Sequence, residues 1–531
     1  MVASDGGYII RYWWTPLAHA VPPRSQTRAF SRGEGRTMQD TCSRTVRMLA
    51  SLLVVVVALT VSGATVTIDK SVTHQTMIGF GTHTNIKPWK AKIGPFYYTI
   101  DLDSVGFYDS LTRDMSVFRT GMRSGANEHI KAFVQRGIRH VIMTSWAPPA
   151  DMKTNGETCC GGNLLDDKYD DYARHCVDQI KKFKQDCGLD LLAFNFQNEP
   201  AFYEPYNSCI FDPAAYKRMH VELGRLADSE GVLQNTMLMG PECMATYLRG
   251  DGVKNYTDPI LNDSEAKGYL GALAVHGYKD GVEPDYGSAD GWTRIATRAN
   301  ALGIPCWQTE TDMPGATIGE ALNMAGAMYV GVKFGDLTIF SKWTMCNSSD
   351  NALVWDGIYR PGYYALAHFG RYVRDGAVRV DCESTDAKVL ALAFQDQARG
   401  WFTVILINNA TANKSIEITG AGLPPSYQAF QTSGSQKGVE VGPLNPGSIT
   451  LPPQSITTLY AGVTTSVSDE HLRINAPHVS HPALDAIGAV FDLRGRSCGP
   501  AAIELRAPGV YAKPRTDNSP RHRTHMRLRD R

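Results

Sequence analysis

Eight short, β-rich apolar runs alternate with amphipathic helical stretches between residues 77 and 344, and this alternation restricts the fold more than any other feature of the chain. The runs are MIGFG (77–81), MSVFRT (115–120), HVIMTSW (140–146), LLAFNFQNE (191–199), TMLMGPE (236–242), LAVHGY (273–278), CWQTE (306–310) and LTIFSKWT (337–344). Strands that alternate with helices read as repeated β–α units around a parallel sheet. Eight such units predict a closed barrel with an outer ring of helices. Between the third and fourth runs, Tyr172, Cys176, Ile180 and Phe183 recur every three or four residues. That spacing predicts a helix over 169–186 with one apolar stripe facing the sheet.

The pattern changes near Pro361. One helix-like stretch, YYALAHFGRYV, is followed by the alternating runs VLALAF, WFTVILINN, SIEITG and SITTLYAG, which predict an antiparallel β-domain. TVTIDKS (65–71) has the same alternation and is expected to join that sheet rather than the barrel. The fold class expected is therefore a (β/α)8 TIM barrel with a C-terminal antiparallel β-sandwich side domain. Its expected parts are a non-native or disordered extension (1–47), a signal peptide (48–64), an N-terminal strand (65–76), the barrel (77–360), the β-sandwich (361–462) and an irregular basic tail (463–531).

The signal-peptide reading rests on MLASLLVVVVALTVSGA, which follows Arg44 and Arg47 and closes on small residues. The run is shorter than the roughly 20 residues a membrane-spanning helix needs, so a secreted, extracellular protein without stable membrane insertion is expected. Met38 or Met48 would be a more natural start, which points to an over-extended gene reading. Hydrophobic residues at 43% and charged residues at 20% are ordinary for a globular chain, and the formal net charge is zero. That balance removes the electrostatic case for nucleic acid as a partner and favours a neutral ligand. No cysteine pair has zinc-site spacing, and no metal is expected. Some cysteines should form disulfides in an oxidising compartment, but the adjacent Cys159 and Cys160 are not expected to bond to each other. Asn255, Asn262, Asn347, Asn409 and Asn413 each begin an N-x-S/T triplet that could carry a glycan.

The chemistry is carried by two strand ends. FNFQNEP (194–200) ends the fourth run in Asn198–Glu199–Pro200, where proline stops the ladder and leaves the carboxylate of Glu199 at a strand-to-loop junction. A glutamate held there among aromatic residues can have its pKa raised enough to act as a general acid. WQTE (307–310) places Glu310 at the end of the seventh run. Taken singly, each glutamate also reads as an ordinary strand-end acid. Together they face one barrel mouth, and glycoside cleavage needs such a pair: one group protonates the leaving oxygen while the other, roughly 5 Å away, attacks the anomeric carbon.

IGFGT (78–82), SWAPPADMKTNG (145–156), QNEP (197–200), HGY (276–278), QTE (308–310) and RPGYYALAHFGRYVRDGAVRV (360–380) together resemble glycoside hydrolase family 30. This family belongs to a clan of retaining β-glycosidases. The resemblance runs from the start of the barrel into the β-domain. It implies that Glu199 is acid/base, Glu310 nucleophile, and Asn198 a contact to the sugar 2-hydroxyl. It further implies that Trp146 shapes the subsite of the cleaved sugar, Trp343 floors the sugar site, Arg119 lies near the nucleophile and Tyr278 hydrogen-bonds it. His276 is expected to support the barrel mouth rather than transfer protons. Trp146 and Trp343 also read as core residues, and Arg119 as part of a structural ion pair. No cofactor is implied.

The chain looks most like the polysaccharide-cleaving members of the family, so an endo-acting enzyme on glucuronoxylan, β-1,6-galactan or β-1,6-glucan is expected, as a monomer. An exo-acting β-glucosidase or glucosylceramidase is the enzymatic alternative. A non-catalytic carbohydrate-binding protein is the alternative of another class, against which both retained glutamates argue. Arg360, in the loop CNSSDNALVWDGIYRPG, is a weak candidate for binding a uronate, and the loop GMRSGANEHIK is expected to be short.

Overall fold

In the computed structural model, residues 63–462 are described apart from 87–89, 94–95, 100–101, 104–105, 123–125, 246–251, 279–288, 312, 347–350 and 356. The extension, most of the signal segment, the basic tail, Cys498, Asn347 and parts of the loops after the second and eighth barrel strands lie outside the described residues.

The barrel consists of β2 (Gly79–His83), β3 (Val117–Gly121), β4 (His140–Thr144), β5 (Ala193–Asn195), β6 (Met237–Met244), β7 (Leu270–His276), β8 (Cys306–Glu310) and β9 (Leu337–Lys342). Each strand pairs in parallel with its sequence neighbour, and β9 pairs with β2 to close the ring. Each of the eight apolar runs of the sequence overlaps one of these strands. Inward-facing side chains fill the lumen: Val117, Ile142, Met239, Ala274, Trp307 and Ile339 are buried in one cluster. The barrel is thus a packed core with its chemistry confined to the rim.

The helix expected over 169–186 is α1 (Tyr169–Cys187), and Tyr172, Cys176, Ile180 and Phe183 are all buried along it. The α1 stripe does more than pack. The Tyr172 hydroxyl lies 2.9 Å from Ser145 Oγ and 2.6 Å from the Phe196 carbonyl oxygen, so this helix braces the ends of β4 and β5 where site residues begin.

The side domain is a nine-stranded sheet. Its strands are β1 (Ala64–Thr76), β10 (Val378–Ser384), β11 (Val389–Asp396), β12 (Trp401–Asn408), β13 (Lys414–Thr419), β14 (Tyr427–Thr432), β15 (Val439–Leu444), β16 (Ile449–Leu451) and β17 (Ser455–Ala461). Their order is β15-β14-β17-β12-β11-β10-β1-β13-β16. Both halves of the sheet contribute to one apolar core that includes Val66, Ile68, Val404, Ile418 and Leu459. The sheet departs from the expected antiparallel arrangement at one pair: β1 runs parallel to β13 while pairing antiparallel with β10. One more helix, α2 (Pro361–Gly370), starts with proline at its first position and lies between barrel and sheet. Its His368 bonds Thr432 and Thr458 of the sheet, each at 2.8 Å.

The expectation for cysteines is corrected. Cys159 and Cys160 are joined through their sulfurs into a vicinal disulfide, whereas Cys176, Cys187, Cys209, Cys306 and Cys382 are buried free thiols. Buried in this way, they act as small hydrophobic side chains. The adjacent pair lies in a loop whose backbone turns sharply, with φ of 64° at Cys160, 63° at Gly161 and 74° at Gly162.

Candidate active site

The carboxyl ends of the barrel strands bring the expected residues together. Glu199 follows β5, Glu310 ends β8, and one carboxylate oxygen of each lies within 4.8 Å of the other. Both side chains are buried, at 8% and 6% exposure. The backbone of Glu199 is left-handed, with φ of 45°, a conformation that costs a non-glycine residue about 1–3 kcal/mol. Neighbouring bonds hold it there: Asn198 N–H donates to the Ser145 carbonyl (2.7 Å) and Phe202 N–H to the Glu199 carbonyl (3.0 Å).

Arg119, in the middle of β3 and fully buried, organises the site. Its Nη1 donates to Glu310 Oε2 (2.5 Å), its Nη2 to Asn198 Oδ1 (2.7 Å) and its Nε to Glu242 Oε1 (3.1 Å). Arg119 thus forms ion pairs with both Glu242 and Glu310. Because Asn198 accepts from the guanidinium through its oxygen, its amide nitrogen is left to donate toward a ligand. Tyr278 donates its hydroxyl to Glu310 Oε1 (2.5 Å), so each oxygen of Glu310 has a fixed donor.

His276 does more than support the rim. Its Nδ1 lies 2.8 Å from Glu199 Oε1, and its Nε2 stands 3.8 Å from Glu242 and 4.0 Å from Glu310. Burial disfavours its charge, yet Glu310, Glu199 and Glu242 outweigh that and raise its pKa to about 9. For Glu199 the balance falls the other way. Burial raises its pKa, the His276 hydrogen bond and charge and the Arg119 charge offset part of this, and Glu310 adds to the rise.

Glu242 was not singled out in the sequence, although it closes the fifth run, TMLMGPE. It is fully buried and also takes hydrogen bonds from Thr144 Oγ1 (2.7 Å) and Asn195 Nδ2 (2.9 Å). Burial pushes its pKa up, but Arg119, His276 and Asn195 hold it well below the ordinary carboxylate range. Like Glu199 it has a left-handed backbone, φ 51°. A short acid-terminated strand after Gly-Pro is the only sequence signal it carries.

Trp146 and Trp343 line the mouth, with ring centroids 6.1 Å apart. His83 lies beside both, at 5.5 and 4.4 Å, and the Arg119 guanidinium sits 4.8 Å from the Trp146 ring. Trp146 is buried at 8% exposure, while Trp343 is partly open. Arg360 stacks on Trp355 at 4.4 Å and donates to the Ala352 carbonyl (3.2 Å).

Glu199, His276 and Glu310 are also close enough to hold a cation. Two features oppose that use. His276 holds its proton to about pH 9, whereas a ligand imidazole must be neutral, and the fixed guanidinium of Arg119 already occupies Glu310.

Barrel, rim carboxylates and side domain together define an O-glycosyl hydrolase. Residues 128–294 match the glycosyl hydrolase family 30 TIM-barrel domain, and residues 376–459 match the family 30 beta sandwich domain. Both matched domains are those of glycosyl hydrolase family 30. It is 26% identical over 352 residues to glucuronoxylanase XynC of Bacillus subtilis strain 168, covering 62% of this chain and 76% of that protein. It is likewise 26% identical over 337 residues to putative glucosylceramidase 4 of Caenorhabditis elegans, covering 54% and 60%. Among solved structures, the family 30 subfamily 8 xylanase Xyn30A of Clostridium acetobutylicum superposes with a TM-score of 0.62 at 20% identity, over 75% of this chain and 99% of that one.

Proposed function

We propose that the chain is a secreted, retaining, endo-acting β-glycoside hydrolase that cuts a cell-wall polysaccharide. The observation that carries the retaining part is the separation of Glu199 and Glu310. Carboxylate oxygens within 4.8 Å leave no room for a water between Glu310 and the anomeric carbon, as an inverting enzyme requires, and match the spacing of a nucleophile and acid.

In the first step Glu310 attacks the anomeric carbon while Glu199 gives its proton to the glycosidic oxygen, which leaves as an alcohol. A glycosyl ester on Glu310 results. In the second step Glu199, now a carboxylate, takes a proton from water as the water oxygen attacks the same carbon, and Glu310 is released. Arg119 and Tyr278 hold Glu310 aimed through one hydrogen bond to each of its oxygens, Asn198 offers its amide N–H to the 2-hydroxyl, and Trp146 and Trp343 present ring faces to the apolar side of the sugar. The negative charge of Glu310 raises the pKa of Glu199, so forming the ester lowers that pKa and breaking the ester restores it, which switches Glu199 between acid and base.

The endo reading is supported by the similarity to glucuronoxylanases, and the exo-acting glucosylceramidase reading by the match to the nematode protein. Arg360 is engaged by Trp355 and Ala352, and a uronate role for it is not part of the proposal. Secretion rests on residues 48–64, and glycans would be carried at exposed triplets such as Asn262 and Asn413.

The test is product analysis of the secreted protein on glucuronoxylan, β-1,6-glucan, β-1,6-galactan and glucosylceramide, each beside the Glu310→Ala variant. Oligosaccharides from one polymer are expected. Monosaccharide alone would replace this reading with the exo one, and silence on all four would favour a binding protein.

A further inference from the structure

Two aromatic side chains beside the site are far more open than the fold requires. Tyr203 is 69% exposed and Tyr206 48%. Both belong to the loop that continues directly from Glu199, the residue placed on the leaving-group side of the bond.

That loop is tied along its length to the loop after β4, which bears the vicinal cysteines. Cys160 N–H donates to the Glu204 carbonyl (3.0 Å), Ser208 N–H to the Thr158 carbonyl (3.1 Å) and Ile210 N–H to the Gly162 carbonyl (2.8 Å). Gly161 N–H donates to Ser208 Oγ (3.0 Å). Lys153, only 3% exposed, bonds the carbonyls of Ser208 (2.6 Å) and Cys159 (3.2 Å) and so holds one loop to the other from beneath. Asn155 Nδ2 donates to the carbonyls of Cys159 and Cys160. A Cβ on Gly161 would stand 2.6 Å from Tyr203 Cδ2, so the Tyr203 ring lies across a glycine next to the joined sulfurs. Both cysteines are half-exposed.

The result is a braced, outward-facing surface of two aromatic rings and a polarisable disulfide beside the acid. Such a surface suits the C–H faces of pyranose rings. The Tyr206 phenol is also kept neutral: burial and the nearby Glu199, Glu204 and Glu310 raise its pKa well above the ordinary tyrosine value. Its hydroxyl hydrogen-bonds the Glu204 carboxylate, so the contact it offers a sugar is the face of the ring.

We propose that Tyr203, Tyr206 and the Cys159–Cys160 ring form one binding surface for the sugar units on the leaving-group side of the scissile bond. The assignment of that side rests on the acid role proposed for Glu199.

The experiment compares the full chain with Tyr206→Ala, Tyr206→Phe and the double variant C159A/C160A on a reducing-end-labelled hexasaccharide from glucuronoxylan. Tyr206→Ala and the double variant are expected to raise KM by about fivefold, the equivalent of losing one stacking contact. They should also move cleavage toward the labelled end, where fewer leaving-group units are held. Tyr206→Phe, which keeps the ring, should restore most of the loss. Unaltered KM and cleavage position in Tyr206→Ala and the double variant would overturn the proposal, as would a loss confined to kcat. Alkylation of both cysteines in the unreduced native protein, read by intact mass, would overturn the part assigned to the disulfide. If the intact chain cleaves no panel polymer, the hydrolase reading has failed separately. Titration of the same hexasaccharide into the intact chain and the variants then decides the surface, equal affinities being the result against it.

Discussion

At the scale of single residues, the site is a balanced set of charges in which each member can be removed separately. Glu310→Ala should lower kcat by about three orders of magnitude or more, because no other group can form the glycosyl ester. Added azide should restore part of the turnover as an inverted glycosyl azide, detectable by mass spectrometry. Glu199→Ala should spare substrates whose leaving groups need little protonation, and equal losses on good and poor leaving groups would contradict its acid role. His276 stabilises the charged form of Glu199, so His276→Asn should move the basic limb of the kcat/KM profile to higher pH. Glu242→Gln leaves Arg119 short of one buried partner and should cost about 3–5 kcal/mol in urea unfolding. Glu199 and Glu310 were legible in the sequence because each ends an apolar run within a distinctive motif. Glu242 was not: its partners Arg119, Thr144 and Asn195 come from three other strands, and only barrel closure brings them to it.

At the scale of elements, the strands and the long helix were readable because their apolar periods differ and their ends are marked by glycine and proline. The boundaries were less so. The fourth run extends to Glu199, but β5 stops at Asn195, and the four residues that follow turn into the site under side-chain control from Tyr172 and Gln197. The vicinal disulfide was misjudged because the loop bonded to Cys160 is the one that follows Glu199, and sequence distance hides that neighbour. Helix α2 supplies a pH-dependent tie between barrel and sheet. Burial and the charge of Arg371 lower the pKa of His368 to about 3 from 6.5, so the folded chain keeps it neutral where the unfolded chain binds a proton. Its contribution to stability is complete above pH 6.5 and is lost as pH falls from there toward 3. His368→Gln should flatten that part of the stability–pH curve, measured by thermal unfolding at stepped pH. An unchanged slope would argue against the tie.

At the scale of the whole molecule, the side domain is built from both ends of the described chain. β1 precedes the barrel yet lies between β10 and β13, and Val66 and Ile68 are buried in the core of the sheet. Removing residues 63–76 should cost about 3–6 kcal/mol from those two side chains alone, and the thermal midpoint of the truncated protein should fall accordingly. The side domain also shares the barrel's apolar core through Leu392, Phe394 and Ile405, so its loss should destabilise the barrel rather than leave it independent.

The central claim is that two carboxylates within 4.8 Å act as nucleophile and acid in a double displacement. The most direct measurement is proton NMR of the first-formed product, taken before mutarotation, on the polymer the enzyme cleaves. Retention predicts the β-anomer at the earliest time points, followed by slow appearance of the α form. An α-anomer formed first would mean a single displacement by water and would contradict the roles assigned to Glu199 and Glu310.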